Sequence, residues 1–145
     1  MRFIFAAAAA IALTACGQAG TPETEITAIT APAEDTRVLA VMSYADWCGS
    51  CKALDPKVEA VQTANTFDGV EFVKLNYTER DADAFFADAD TAGVGPAMRT
   101  QFADKIKTGR MYLVDLGSGE IVGTVDKSMD EAAITQAIME AAALS

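Results

Sequence analysis

The sequence predicts an α/β domain in which helices cover both faces of a mixed central sheet. Three observations predict it. Val38 to Tyr44 is a continuous apolar run bounded by charge, the pattern of a strand buried on both faces. Strand-like and helical segments then alternate, which lays helices across a partly parallel sheet. Near the C-terminus two short strands flank Gly117-Ser118-Gly119, a hairpin that adds antiparallel pairing.

Each element follows from its residues. From Cys48 to about Ala64 the pattern is helical, with Leu54, Val58 and Val61 on one face and Pro56 inside, where a missing N–H should kink the helix. Val70 to Leu75 alternates as a second strand. A helix is expected around Asp81 to Asp88, with Phe85 and Phe86 as core. Gly93-Val94-Gly95-Pro96 breaks the chain, and Ala97 to Ile106 is expected as a further short helix. Met111 to Asp115 and Ile121 to Val125 form the hairpin. Ser128-Met129-Asp130-Glu131 reads as a capping box opening a last helix, whose Ile134, Ile138 and Ala141 recur at helical spacing.

The chain of 145 residues suffices for one core and not for two. The folded part begins near Arg37, giving a domain over residues 37–145. Acids outnumber bases 21 to 11, and no basic stripe is visible, which argues against nucleic acid as a partner.

Residues 1–15 are expected to be a lipoprotein signal peptide. Arg2 supplies the positive end, and Phe3 to Leu13 is an apolar run of 11 residues, well short of the roughly 20 a spanning helix needs. Leu13-Thr14-Ala15-Cys16 resembles the bacterial lipobox, which implies cleavage before Cys16 and lipidation of its sulfur. Residues 16–36 then form the lipidated end and a Thr-, Ala-, Pro- and Glu-rich tether. The implied location is periplasm-facing, anchored to the cell membrane or the outer membrane. With Cys16 so used, two of the three cysteines remain, Cys48 and Cys51.

Cys48-Gly49-Ser50-Cys51 at a strand-to-helix junction has a mechanism. The first sulfur sits at a helix N-terminus, where unpaired N–H groups and the macrodipole favour a thiolate. The second is one turn on, within disulfide reach. Cys48 would attack a substrate disulfide and Cys51 would resolve the mixed disulfide. The electrons reside on the two sulfurs, so no organic cofactor is expected.

Tyr44-Ala45-Asp46-Trp47-Cys48-Gly49-Ser50-Cys51-Lys52, with Pro56 five residues after the second Cys, resembles the active site of the thioredoxin superfamily. Its wording is closest to the periplasmic thioredoxin domain of thiol:disulfide interchange proteins. Lys74-Leu75-Asn76 and the Gly119-Glu120 hairpin extend the resemblance over residues 37–144. It implies a thioredoxin-like fold and a thiol–disulfide oxidoreductase, in the reducing direction. Its partners would be periplasmic protein thiols and disulfides and an upstream membrane electron donor. Trp47, Gly49, Ser50, Lys52 and Pro56 are implied to shape the site.

Two departures from the family pattern stand out. The buried acid on the strand before the motif is replaced by Met42, which leaves Lys74 without its family partner. The cis-proline that faces the Cys pair is replaced by Gly109 or Arg110, with Pro96 as a displaced alternative. An Arg110 facing Cys48 would favour the thiolate.

Two rival readings use the same residues. Two thiols and no His cannot complete a four-ligand zinc site within one chain, so a metal or iron–sulfur centre would need four Cys from two chains. Alternatively, the fold is a non-catalytic binding lipoprotein whose Cys pair rests as a stable disulfide.

Overall fold

The computed structural model describes residues 28–145. The signal segment, Cys16 and the first part of the tether lie outside these residues. The elements run β1 (Val38–Tyr44), α1 (Gly49–Ala64), β2 (Val70–Asn76), α2 (Ala82–Thr91), α3 (Gly95–Gln101), β3 (Arg110–Asp115), β4 (Glu120–Asp126) and α4 (Glu131–Leu144). One four-stranded sheet has the order β2-β1-β3-β4. β1 is parallel to β2, with Met42 opposite Lys74, and antiparallel to β3, with Met42 opposite Met111. The mixed sheet expected from the sequence is present.

Side chains alternate across a strand, so a strand central to two cores must be apolar at every position. β1 shows why its run is unbroken. Val38, Ala40 and Met42 pack with Cys51, Leu54, Val58 and Val61 of α1 and with Ile134, Ile138 and Ala141 of α4. Leu39 and Val41 face the other way, onto Phe85, Ala89, Met98, Phe102, Tyr112 and Val114. The active-site helix and the last helix therefore cover one face, and α2 and α3 the other. Phe85 is fully buried and Phe86 is half-buried against the same cluster.

Two expected elements change at their ends, and α2 runs on to Thr91, beyond the expected Asp88. The expected helix over Ala97 to Ile106 begins instead at Gly95 and ends at Gln101. Proline is tolerated in a first turn, where its missing N–H costs nothing, so Pro96 starts this helix instead of preceding it. Gly95 is needed there because a Cβ would collide with the Asp90 carboxylate, which pairs with Arg99 at 2.6 Å across α2 and α3. Helix α3 stops early because Phe102 turns inward, packing edge-on between Phe85 and Tyr112. The second correction concerns the capping box. The N-cap of α4 is Asp130, whose carboxylate accepts from the Ala133 N–H at 2.8 Å. Ser128 is engaged elsewhere, its N–H and hydroxyl both donating to Asp126.

The described end of the tether lies against the sheet edge. Glu71 on β2 accepts from the Ala33 N–H at 2.8 Å and from the Thr36 hydroxyl at 2.6 Å. Ile29 packs against the Phe85 cluster. These two hydrogen bonds hold the Glu71 carboxyl below its usual range, the Thr36 bond contributing most. Among the described residues, no helix is long and apolar enough to cross a membrane.

Candidate functional site

β1 ends at Tyr44, and the chain turns through buried Ala45, whose carbonyl accepts from the Cys48 N–H at 3.0 Å. Cys48 is the N-cap of α1, with extended backbone and its Sγ accepting from the Cys51 N–H at 3.1 Å. A sulfur thus stands where an N-cap oxygen usually does. Cys48 and Cys51 are joined as a disulfide, their Cα atoms 5.2 Å apart. The two sulfur-bearing residues differ in access: Cys48 is 7% exposed and Cys51 is 0%. Gly49 and Lys52 are exposed in the first turn, Lys52 donating its N–H to the Cys48 carbonyl at 3.2 Å. Pro56 is exposed within α1, which continues through it as one helix.

Gly109 forms the wall opposite. Its φ is +87°, and a Cβ there would lie 2.5 Å from the Ser50 Cβ and 3.2 Å from the Cys48 Sγ. Backbone therefore meets the disulfide directly, and only glycine permits both the conformation and the approach. Of the alternatives for the residue facing the pair, Gly109 occupies that place. Arg110 follows it as the exposed first residue of β3, and Pro96 lies away at the start of α3. Ser43 holds this wall. Its carbonyl accepts from the Gly109 N–H at 2.8 Å and lies 3.7 Å from the Cys51 Sγ. Its hydroxyl is within hydrogen-bonding distance of the Lys107 and Arg110 carbonyls, at 2.9 and 3.1 Å. Ser43 is the buried polar residue of the core, and sequence reasoning passed over it inside an apolar run.

The opposite rim belongs to Trp47, which is 48% exposed. Its Nε1 donates to the Thr78 carbonyl at 2.9 Å, and the Arg80 guanidinium lies 4.7 Å from its ring centroid. Arg80 has a φ of +59°, a conformation that costs a branched or bulky residue energy and here carries its side chain over the ring. Thr78 is itself fixed by Asn76, whose amide oxygen accepts from both its N–H and its hydroxyl. A series of edge-on contacts then runs from Trp47 through Tyr77, Phe85 and Phe102 to Tyr112, rooting the rim in the second core. Asp46 is exposed beside Trp47, its N–H donating to the Thr78 hydroxyl at 3.0 Å.

Met42 fills the core beneath the site, 3% exposed. The expectation that Lys74 lacks a partner is corrected: its Nζ is 2.7 Å from the Asp55 carboxylate and 4.9 Å from the Tyr44 ring centroid. An acid one turn after Cys51 on α1 supplies what β1 does not. Burial raises the Tyr44 hydroxyl above its ordinary range, and the neighbouring Asp46 and Asp55 carboxylates raise it further. Among the described residues, no group of three or more His, Cys, Asp or Glu side chains lies together as a metal site. A metal at the Cys pair would need ligands from outside these residues.

A helix-capping disulfide on a mixed sheet, one sulfur nearer the surface than the other, defines a dithiol/disulfide redox protein of the Cys-x-x-Cys class. The family model described as Thioredoxin matches residues 26–90, and with this topology the domain is thioredoxin-like. A Schizosaccharomyces pombe protein named as a putative protein disulfide-isomerase is 44% identical over 43 residues, which cover 30% of this chain and 9% of the relative. The chain thus spans about a tenth of that relative's length. Among solved structures, a thioredoxin-family thiol:disulfide interchange protein from Chlorobium tepidum superposes with a TM-score of 0.49 at 16% identity, covering 73% of this chain and 80% of that one. A mutant thioredoxin from Halobacterium salinarum superposes at 0.46 with 24% identity, covering 83% and 85%. Domain and disulfide together support a thiol–disulfide oxidoreductase in general.

Proposed function

We propose that the chain is a lipid-anchored, periplasm-facing thiol–disulfide oxidoreductase that reduces or exchanges disulfides in envelope proteins. The observation that carries the reading is the asymmetry of the Cys pair. Cys48 caps α1 and lies nearer the surface, whereas Cys51 is buried against Ser43. In the dithiol form the Cys51 N–H that now meets Cys48 Sγ would hydrogen-bond a thiolate, and the helix N-terminus favours the same charge. Cys48 attacks one sulfur of a substrate disulfide, forming a mixed disulfide and releasing the other sulfur as a thiolate. Cys51 then attacks Cys48, restoring the Cys48–Cys51 bond and freeing the second substrate thiol. Two electrons pass to the substrate, and an upstream membrane donor must return them. Lipidation at Cys16 would hold the site in reach of both.

The test is reduction of a disulfide-containing protein by the dithiol form. Turnover is expected with the native chain, none with Cys48→Ser, and an accumulating mixed disulfide with Cys51→Ser. A dithiol form that reduces no disulfide protein would overturn the reading in favour of a non-catalytic role. Labelling with a radiolabelled fatty acid, abolished by Cys16→Ser, tests the anchor; an unlabelled native chain in cells would remove it.

A further inference from the structure

We infer that the groove beside the disulfide selects polypeptide substrates carrying an acidic residue next to the reacting cysteine, through Arg110 and Lys127. The inference rests on the oxidoreductase reading above and names the substrate class of the same site. A groove of about 240 Å³ is lined by Ser50, Thr108, Gly109, Arg110, Asp126, Lys127 and Ser128. Its Ser50 and Gly109 end is the part that meets Cys48, so a chain whose sulfur reaches Cys48 lays its next residues along it.

The charge of this groove runs against that of the molecule. The chain carries a net charge of −10, yet the groove holds two cations and one carboxylate. Arg110 and Lys127 are exposed, and among the described residues neither forms a salt bridge. The carboxylate is already occupied. Asp126 accepts from both the N–H and the hydroxyl of Ser128, and these bonds, the Ser128 hydroxyl foremost, hold it below its usual range, with Arg110 and Lys127 adding to the effect. A further ammonium lies behind the turn. Lys57 Nζ donates to the carbonyls of Lys127 and Met129, both at 2.8 Å, which fixes the turn that presents Lys127. The other rim differs: there the Arg80 guanidinium is already seated over Trp47. Two cations without salt bridges among the described residues, Arg110 and Lys127, thus line the groove, where the carboxylate of a residue flanking an arriving cysteine would pair with them.

The experiment uses the full chain in its dithiol form. The substrates are symmetric disulfides of short peptides with Glu, Ala or Lys on both sides of the cysteine. Each rate is divided by the rate with dithiothreitol, which removes the intrinsic effect of neighbouring charge on the disulfide. The normalised Glu rate should exceed the Lys rate about five-fold at low salt, as expected for exposed charges acting at close range. The ratio should shrink toward one at about 0.5 M salt and in the double variant Arg110→Gln, Lys127→Gln. Lys127→Glu should move the preference toward the Lys peptide, a gain that misfolding cannot produce. Equal normalised rates for all three peptides, or a preference that survives the double substitution, would overturn the inference and leave the oxidoreductase reading standing. Reduction of none of them would overturn both.

Discussion

Gly109 and Ser43 are neighbours in space and opposite in what they ask of the chain. Gly109 must lack a side chain, since its φ of +87° and the 2.5 Å approach of a Cβ to Ser50 leave no room. Gly109→Ala should cost about 1–3 kcal/mol of stability, read as a lower midpoint in a urea titration, and should slow disulfide exchange. An unchanged midpoint would mean that the loop can withdraw from Ser50. Ser43→Ala removes the hydroxyl held between the Lys107 and Arg110 carbonyls and should cost about 1 kcal/mol. Asp55→Asn should change stability by less than about 1 kcal/mol, because the pair with Lys74 is partly solvated. The sequence disclosed the Cys pair, since its spacing is local and chemical, and it narrowed the residue facing that pair to Gly109 or Arg110. It did not disclose Ser43, Asp55, Thr78 or Arg80. A lone Ser in an apolar run carries no local signal. The Asp55–Lys74 pair joins a helix to a strand 19 residues on, a distance that no periodicity spans.

At the scale of elements, what the residues revealed depended on how strongly burial constrained them. β1 was legible because both of its faces are core, and α1 because Leu54, Val58 and Val61 mark one buried side. The boundaries of α3 and α4 were less so, because each is decided by a contact outside the segment. Phe102 ends α3 by turning into the aromatic cluster, and Asp126 takes Ser128 away from the cap of α4. Asp130→Ala should therefore lower stability by about 1 kcal/mol, measured by thermal unfolding. The discriminating comparison is Asp130→Asn, which keeps a cap acceptor and should recover most of the loss.

For the whole molecule, acid is the informative variable. Asp115 and Asp126 are held below the ordinary carboxylate range, mainly by their Ser118 and Ser128 hydroxyl bonds, Asp90 by its bond to Arg99, and Glu71 by Thr36. A carboxyl whose folded pKa is depressed stabilises the fold above its unfolded pKa and loses that contribution as pH falls through the folded value. Stability should thus hold from neutral pH down to about 5 and decline below about 4. Hydrogen exchange at Ala33 should accelerate over the same interval as Glu71 releases the strand-edge segment, and Glu71→Gln should remove that dependence. The redox potential fixes the direction of electron flow: a value near about −270 mV would make the protein a reductase, and one near about −120 mV an oxidant. One carbonyl links this chemistry to the frame. The Ser43 oxygen now receives the Gly109 amide while touching the Cys51 sulfur; on reduction that sulfur gains a proton of its own to donate. Two donors would then share one acceptor, so the Gly109 amide resonance becomes a built-in gauge of oxidation state, readable by NMR without any label on the sulfurs.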